Sequence, residues 1–460
     1  MPPRTRSRAA APMRLDPLAA LPLFLSRRVL SLLPVDSRGR AACVSRSWRD
    51  VLADPSLWER LDLSWTSGVP FTFYVYACRA LLLGAANRAR GQLRHLDVTA
   101  VSFTTPLLLE VLAANAGSLR TLVVQNLWVD PRLRNTYPAF DAVMAAAPML
   151  QVLEVSEVVT CDWDTAPRLI RSEVLRLKSL FVYCDPHNDA LGDLARIGPL
   201  ADALSDVSLQ QAVRHVSFCA ADLAKPQVMN AIVDAVLARR LPDVSFLGFS
   251  PPHAASLARL LAGDAVTTLS FCEQRIGTQP AVLVDANGAA LLAEALRNNT
   301  TLTDLSLTNT QLFRNERAAA TLLGSLVGHP SLRALSLTCE KGGFPEARGL
   351  LLGALIAADA PALQSLWVQC TSEHPQWCDC KLRDAGLGPL VDALPRNHHL
   401  RSLNIAGNDM SGHFARHRLL PAVRCNTGLL ELEADGRHNP AALEAEVLVA
   451  SRSPGAPPRG

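Results

Sequence analysis

A short apolar phrase, L-x-x-L-x-L, recurs along most of this 460-residue chain. It first appears at residues 93–98, and its most complete copy covers residues 400–405. Because alternate side chains of an extended segment face opposite ways, the second and third apolar residues of each phrase are predicted to point into a core. The twelve phrases begin at Leu93, Leu119, Leu150, Leu177, Val213, Leu241, Val266, Leu302, Leu332, Leu363, Leu400 and Leu429.

Alanine- and leucine-rich stretches with helical spacing separate the phrases, for example residues 287–297 and 384–394. The spacing between phrases runs from 25 residues (Leu241 to Val266) to 37 (Leu363 to Leu400). One repeat cannot bury its leucines alone, so neighbouring repeats must stack. The pattern resembles ribonuclease-inhibitor-like leucine-rich repeats. That resemblance implies an α/β fold, a horseshoe solenoid with parallel strands inside and helices outside. Residues 61–63 predict a thirteenth, atypical strand that caps the array.

The region before the array predicts short helices interrupted by prolines. Apolar residues recur at helical spacing from Leu21 to Leu33, with Pro22 at the opening and Pro34 as the stop. Asp36 or Ser37 can cap a following helix. The apolar side of that helix is predicted to comprise Ala41, Ala42, Val44, Trp48, Val51 and Leu52. Such short helices need a neighbour, which is either the downstream domain or a partner chain.

Four spaced motifs in this region resemble an F-box: Leu21-Pro22, Leu33-Pro34, V-S-R-S-W at residues 44–48, and Leu57-Trp58. Phe24 departs from the family pattern, which often has an acidic residue there, whereas Asp36 keeps the acidic position after the second Leu-Pro. The alternative is an ordinary helical cap on the next domain, which leaves the four motifs unexplained. The resemblance implies docking on a Skp-type adaptor within a cullin complex. The adaptor-binding residues that it implies are Leu21, Pro22, Leu25, Leu30, Leu33, Pro34, Val44 and Trp48.

These patterns divide the chain into five parts. We predict a disordered basic tail (1–19), an F-box (20–64), a connector (65–92), the repeat array (93–435), and a terminal cap helix with a disordered tail (436–460). The arginine-rich start could also be a transit peptide, but a tail before a domain is the commoner case.

The outward strand positions form the surface expected to bind a target protein. Most are small and neutral, and they include Ser217, Ser245 and Asn404. The residues that stand out as target-binding candidates are Phe181, Tyr183, Trp367, Glu431 and Glu433. Exposed aromatic residues often anchor partners, although these could instead shield strand edges. The acidic end of the array hints at a basic target segment.

Charge, cysteine usage and motif content argue against a catalytic or a nucleic-acid-binding function. The net charge of +3 is small for this length. The eleven cysteines occur mostly singly in apolar runs, as expected in the cytoplasm or nucleus, and no apolar run is long enough to span a membrane. No catalytic motif is present, and histidines such as His215 and His398 lack an obvious nucleophile or carboxylate partner. We expect no cofactor and no metal. The exception to weigh is a zinc site formed by Cys370, His374, Cys378 and Cys380, whose spacing fits no common zinc knuckle.

The leading hypothesis is therefore a non-catalytic substrate-recognition subunit of a Skp–cullin–F-box ubiquitin ligase with an unknown protein target. A leucine-rich binding scaffold or inhibitor without a ubiquitin link is the second. A GTPase-activating solenoid is the third, and Asn408 would be its only candidate residue.

Overall fold

The computed structural model describes residues 16, 18, 20–63, 82–99, 105–128, 139–160, 165–183, 194–206, 213–219, 226–247, 254–272, 286–308, 315–339, 347–370, 381–436 and 439–452. The chain forms two compact units. The first contains residues 1–159 and 172–177, and the second contains residues 160–171 and 178–460.

The first unit starts with short helices and continues with parallel strands. Its helices are α1 (Leu23–Ser31), α2 (Val35–Ala41), α3 (Arg46–Leu52), a 3₁₀ helix (Pro55–Trp58), α4 (residues 82–89), α5 (Thr105–Ala114) and α6 (Phe140–Ala146). Its strands are β1 (Arg60–Asp62), β2 (His95–Asp97), β3 (Thr121–Trp128) and β4 (Val152–Thr160, whose last residue belongs to the second unit). Strand β1 pairs in parallel with β2, which confirms the predicted thirteenth strand at residues 61–63.

The second unit alternates strands and helices as far as residue 450. Its strands are β5 (Leu175–Tyr183, from Lys178 onward), β6 (His215–Cys219), β7 (Asp243–Leu247), β8 (Thr268–Cys272), β9 (Asp304–Thr308), β10 (Ala334–Cys339), β11 (Ser365–Cys370), β12 (Ser402–Asn404) and β13 (Glu431–Glu433). Its helices are α7 (Thr165–Ile170), α8 (Leu194–Ser205), α9 (Pro226–Arg239), α10 (Ala254–Ala262), α11 (Ala286–Asn298), α12 (Glu316–Leu326), α13 (Ala347–Ala357), α14 (Arg383–Ala393), α15 (Gly412–Phe414), α16 (Leu420–Cys425) and α17 (Pro440–Ala450). A 3₁₀ turn (Leu394–Arg396) and a π turn (Ala415–Leu419) complete it.

The strands of each unit follow chain order and pair in parallel, and the repeated phrases lie in register. Leu305 pairs with Leu335, for example, and Leu335 pairs with Leu366. All three apolar positions of all twelve phrases are buried. At the third position, Phe218, Phe246 and Phe271 stack with ring centroids 5.8 and 5.7 Å apart. These observations confirm the predicted leucine-rich repeat architecture and its core positions.

Buried polar side chains join successive repeats of the second unit at the turn between helix and strand. Asn299, His329, Asn397 and Asn426, here called the ladder residues, each lie three residues before the start of a phrase. Each accepts a hydrogen bond from the backbone N–H of that phrase's first leucine, at 2.7–3.2 Å. Each also contacts a backbone carbonyl of an earlier repeat, at 2.7–3.0 Å. Turn amides that the strands leave without partners are satisfied in this way.

Candidate functional site

The N-terminal helices are placed by prolines and by side-chain caps. Pro22 and Pro34 directly precede α1 and α2, where their fixed φ suits the start of a helix. Ser45 is extended (φ −153°) and its Oγ accepts from the N–H of Trp48 at 3.2 Å, so α3 starts there as a separate helix. The expectation of one helix running on to Leu52 was therefore wrong.

The module has its own small core. Leu30, Leu52 and Trp58 are almost completely buried, and the Trp58 indole Nε1 donates to the carbonyl oxygen of Leu52 at 2.7 Å. Burial of the large apolar side chains stabilises the module by about 1.5–3 kcal/mol each. The helices therefore pack against one another before any partner is considered.

Arg38 stabilises the connection between α1 and α2. Its guanidinium donates to the carbonyl oxygens of Leu33 (2.9 Å), Ser31 (2.8 Å) and Leu57. Burial lowers the pKa of Arg38 from its ordinary value, because the charged form loses water. One half-buried side chain thus satisfies carbonyl groups that the end of α1 leaves open.

Asp16 ties the start of the module to α3. Its carboxylate accepts from Trp48 Nε1 and from Ser45 Oγ, both at 2.7 Å. Leu18 is also buried. The packed module therefore includes residues that lie before the expected start at residue 20.

The module leaves several large apolar side chains open to solvent. Fourteen large apolar side chains are exposed among the described residues, and half of them fall within residues 21–44. Phe24 and Leu32 are the most open, with 68% and 72% of their surface exposed. We call this set the box surface: Leu21, Leu23, Phe24, Leu25, Val29, Leu32 and Val44. A concentration of this kind marks an interaction site.

The eight predicted adaptor-binding residues divide into two groups. Five are exposed: Leu21, Pro22, Leu25, Pro34 and Val44. The others are Leu30, which is fully buried, and Leu33 and Trp48, which are partly exposed. Leu30 and the hydrogen-bonded Trp48 thus serve the module's own packing. Sequence reasoning did not select Leu23, Phe24, Val29 and Leu32, because helical periodicity does not show which apolar face lacks a partner.

Comparisons with known proteins agree with this geometry. The F-box-like family model matches residues 18–64. F-box/LRR-repeat protein 22 of Arabidopsis thaliana is 28% identical to this chain over 134 residues, which are 29% of the chain and 41% of that relative. The chain therefore contains an F-box-like domain at residues 18–64, followed by leucine-rich repeats. The aligned part spans less than half of the relative's length.

The leucine-rich repeats present a second surface, in the second unit. Alternate strand residues there stay partly exposed on what we call the open face of the sheet. Trp367 on β11 is 47% exposed, Glu431 and Glu433 on β13 are exposed, and Phe181 is partly buried. The side chain of Tyr183 lies outside the described residues. The expectation that every alternate position is accessible was wrong for Ser217, Ser245 and Asn404, which neighbouring side chains cover.

His215 on the open face contacts a carboxylate and a hydroxyl group, although its neighbours in the sequence do not indicate the carboxylate. Its Nδ1 lies 2.8 Å from Asp243 Oδ1, on the next strand, and its Nε2 lies 2.7 Å from Ser217 Oγ. This resembles the order of contacts in a hydrolase triad. Ser217 is only 5% exposed, however, so a substrate carbonyl cannot approach its hydroxyl. We assign the contact to polar packing on the sheet. His398 likewise pairs with Asp359, at 2.9 Å.

The other candidate residues from the sequence are either structural or lie outside the described residues. Asn408 is fully buried, and its Nδ2 donates to the carbonyl oxygens of Val368 (2.7 Å) and Ile405 (2.9 Å), as a turn residue does. Cys378, Cys380 and His374 lie outside the described residues, as does the side chain of Cys370. Within the described ranges, no cluster of His, Cys, Asp or Glu is placed to hold a metal ion. No helix in these ranges is both long and apolar enough to cross a bilayer.

Proposed function

We propose that this chain is the substrate-recognition subunit of a Skp–cullin–F-box ubiquitin ligase. Its F-box docks on a Skp-type adaptor, and its repeats bind a target protein through the open face at Phe181, Tyr183, Trp367, Glu431 and Glu433. The subunit itself is non-catalytic and uses no cofactor. Its compartment is the cytoplasm or nucleus, where exposed thiols such as those of Cys43 and Cys425 stay reduced.

The box surface is the observation that carries this proposal. The module already buries its own core residues, yet it leaves seven large apolar side chains in solvent. Full burial of such a side chain contributes about 1.5–3 kcal/mol, and the 39–72% of each that is still exposed is the part that a partner can cover. A helical cap on the repeats would instead turn these side chains toward the repeats.

The test is capture of a purified Skp-type adaptor by the full chain. Phe24→Ser and Leu32→Ser change side chains that are mostly exposed, so the module should keep its fold while adaptor binding weakens roughly tenfold or more. Met149→Ser is the matched control, because Met149 is also exposed and apolar but lies outside the F-box. Leu33→Ala/Pro34→Ala should also reduce capture, by disturbing the break between α1 and α2.

Two results would contradict the proposal. One is a wild-type chain that captures no Skp-type adaptor. The other is equal capture by the wild type and by both serine variants of the F-box. Circular dichroism of each variant separates loss of binding from loss of fold.

A further inference from the structure

Trp367 projects from a part of the open face that is otherwise lined by small or polar side chains. It pairs in register with Ser336 on β10 and Asn404 on β12, and Ser365 precedes it on the same face of β11. Asn404 is 95% buried although it points outward, whereas Trp367 is 47% exposed. An indole ring that stands above shallow neighbours offers an apolar contact for a chain that crosses the strands.

A fixed carboxylate lies in the same row. Glu433 on β13 pairs in register with Asn404, and Asn404 Nδ2 donates to Glu433 Oε2 at 2.6 Å. Glu431 lies two residues earlier on the same face and is also exposed. No described residue forms an ion pair with either glutamate, and the nearby Arg401 donates instead to the carbonyl oxygen of Gly428. This end of the open face therefore presents negative charge that no cation of the described chain offsets.

The register sets the distance between the two features. Adjacent strands lie about 4.8 Å apart, so Trp367 and Glu433, two strands apart, are separated by about 10 Å. A segment in the polyproline II conformation has three residues per turn and rises about 3.1 Å per residue, so side chains three residues apart face the same way and lie about 9 Å apart. A segment that lies across the strands can place an apolar residue on Trp367 and a cation beside Glu433.

We propose that the open face from β10 to β13 binds a protein segment in the polyproline II conformation, in which a lysine or arginine lies three residues from a large apolar residue. This inference rests on the proposed function, which makes a protein the ligand of the repeats. The occupant follows from charge complementarity: two uncompensated carboxylates favour a basic segment and disfavour an acidic one.

The experiment selects 12-residue peptides from a random display library on the immobilised full chain, and then measures the affinity of the best peptide by fluorescence anisotropy. We expect enrichment of Lys or Arg three positions from Leu, Phe, Met, Tyr or Trp. Trp367→Ala should weaken binding roughly tenfold or more. Glu433→Gln keeps the acceptor for Asn404 but removes the charge, so it should weaken binding by about threefold to tenfold and reduce the dependence on salt.

Reversing the charges on the open face and on the peptide gives a second, more specific test. The double variant Glu431→Lys/Glu433→Lys should lose the selected peptide and bind a version whose basic residue is replaced by glutamate. Leu350→Ala on α13 and Glu316→Gln on α12 are matched controls, since both change exposed side chains of helices and leave the strands intact. Selection without the spaced basic–apolar pair overturns the inference, and so does a selected peptide that binds Trp367→Ala as tightly as the wild type.

The two proposals fail separately. Leu32→Ser in the F-box should leave peptide affinity unchanged, and Trp367→Ala should leave adaptor capture unchanged. If the adaptor is captured but the spaced pair is not selected, only the inference about the open face falls. If the peptides bind as expected and no adaptor is captured, the ligase assignment falls and the repeats remain a peptide-binding surface.

Discussion

His329 makes the stability of the second unit depend on pH in a way that one substitution can remove. It is a ladder residue and is only 3% exposed. Its Nδ1 accepts from the N–H of Leu332 at 3.2 Å, so the proton of the neutral ring must lie on Nε2, which then donates to the carbonyl oxygen of Leu296 at 3.0 Å. A second proton would have to occupy Nδ1. It would then point at the N–H of Leu332 and would find no acceptor.

The sign of the effect follows from the shift of the pKa. Burial lowers the pKa of His329 below its ordinary value of 6.5, which the hydrogen bond to Leu296 only partly offsets. The unfolded chain therefore binds the proton more readily than the folded chain does, so stability is lost as the pH falls below about 6.5. One proton changes the free energy of unfolding by at most about 1.4 kcal/mol per pH unit, so the loss at pH 5 is at most about 2 kcal/mol.

Asparagine occupies the same position in three other repeats and makes the same two contacts. His329→Asn should therefore be close to neutral at pH 7.5 and should be more stable than the wild type at pH 5.0, by up to about 2 kcal/mol. The assay is urea unfolding followed by circular dichroism at both pH values. Because only the difference between the two proteins is read, other histidines cancel. A variant that loses as much stability on acidification as the wild type does would refute the assigned tautomer and its burial.

Three other substitutions, one of them with a control, test the packing. Arg38→Ala removes hydrogen bonds to three backbone carbonyls and should cost the F-box about 2–3 kcal/mol, measured by hydrogen exchange of residues 23–58. Gly349→Ala would press its Cβ into the carbonyl oxygen of Gly386, so urea unfolding should show a loss of about 1–3 kcal/mol. Gly324→Ala, where a Cβ meets nothing within 4 Å, is its control and should leave stability unchanged or raise it. Asn408→Ala leaves buried carbonyls without donors and should cost about 1–3 kcal/mol in the same assay.

The fold of the repeats could be predicted because its signal is local. Within each phrase the apolar positions alternate over six residues, and that spacing alone decides which side chains enter the core, as Leu403 and Ile405 show. The ladder could not be predicted in the same way. His329 and Asn299 look alike only when the structure shows that both meet the first N–H of the following phrase.

The functional surfaces were harder to predict because exposure is a property of the whole fold. Leu30 and Leu32 are both leucines on α1 or at its end, yet one is fully buried and the other is 72% exposed. Helical spacing places them on different sides of the helix but does not show which side packs against the rest of the module. In the same way, His215 finds its carboxylate partner 28 residues further along the chain, because parallel pairing of β6 with β7 sets Asp243 beside it.

The two surfaces differ in a way that fits different kinds of partner. The box surface is made of large apolar side chains, whose exposure is costly in water, so the F-box is suited to a partner that stays bound. From β10 to β13 the described side chains of the open face are instead mostly small or polar, apart from Trp367, and they include two exposed carboxylates that solvate well when the face is empty. The proposed function, in which a receptor keeps its adaptor and exchanges its targets, calls for this division. An apolar open face would hold targets too long, and a polar F-box would release the adaptor with each of them.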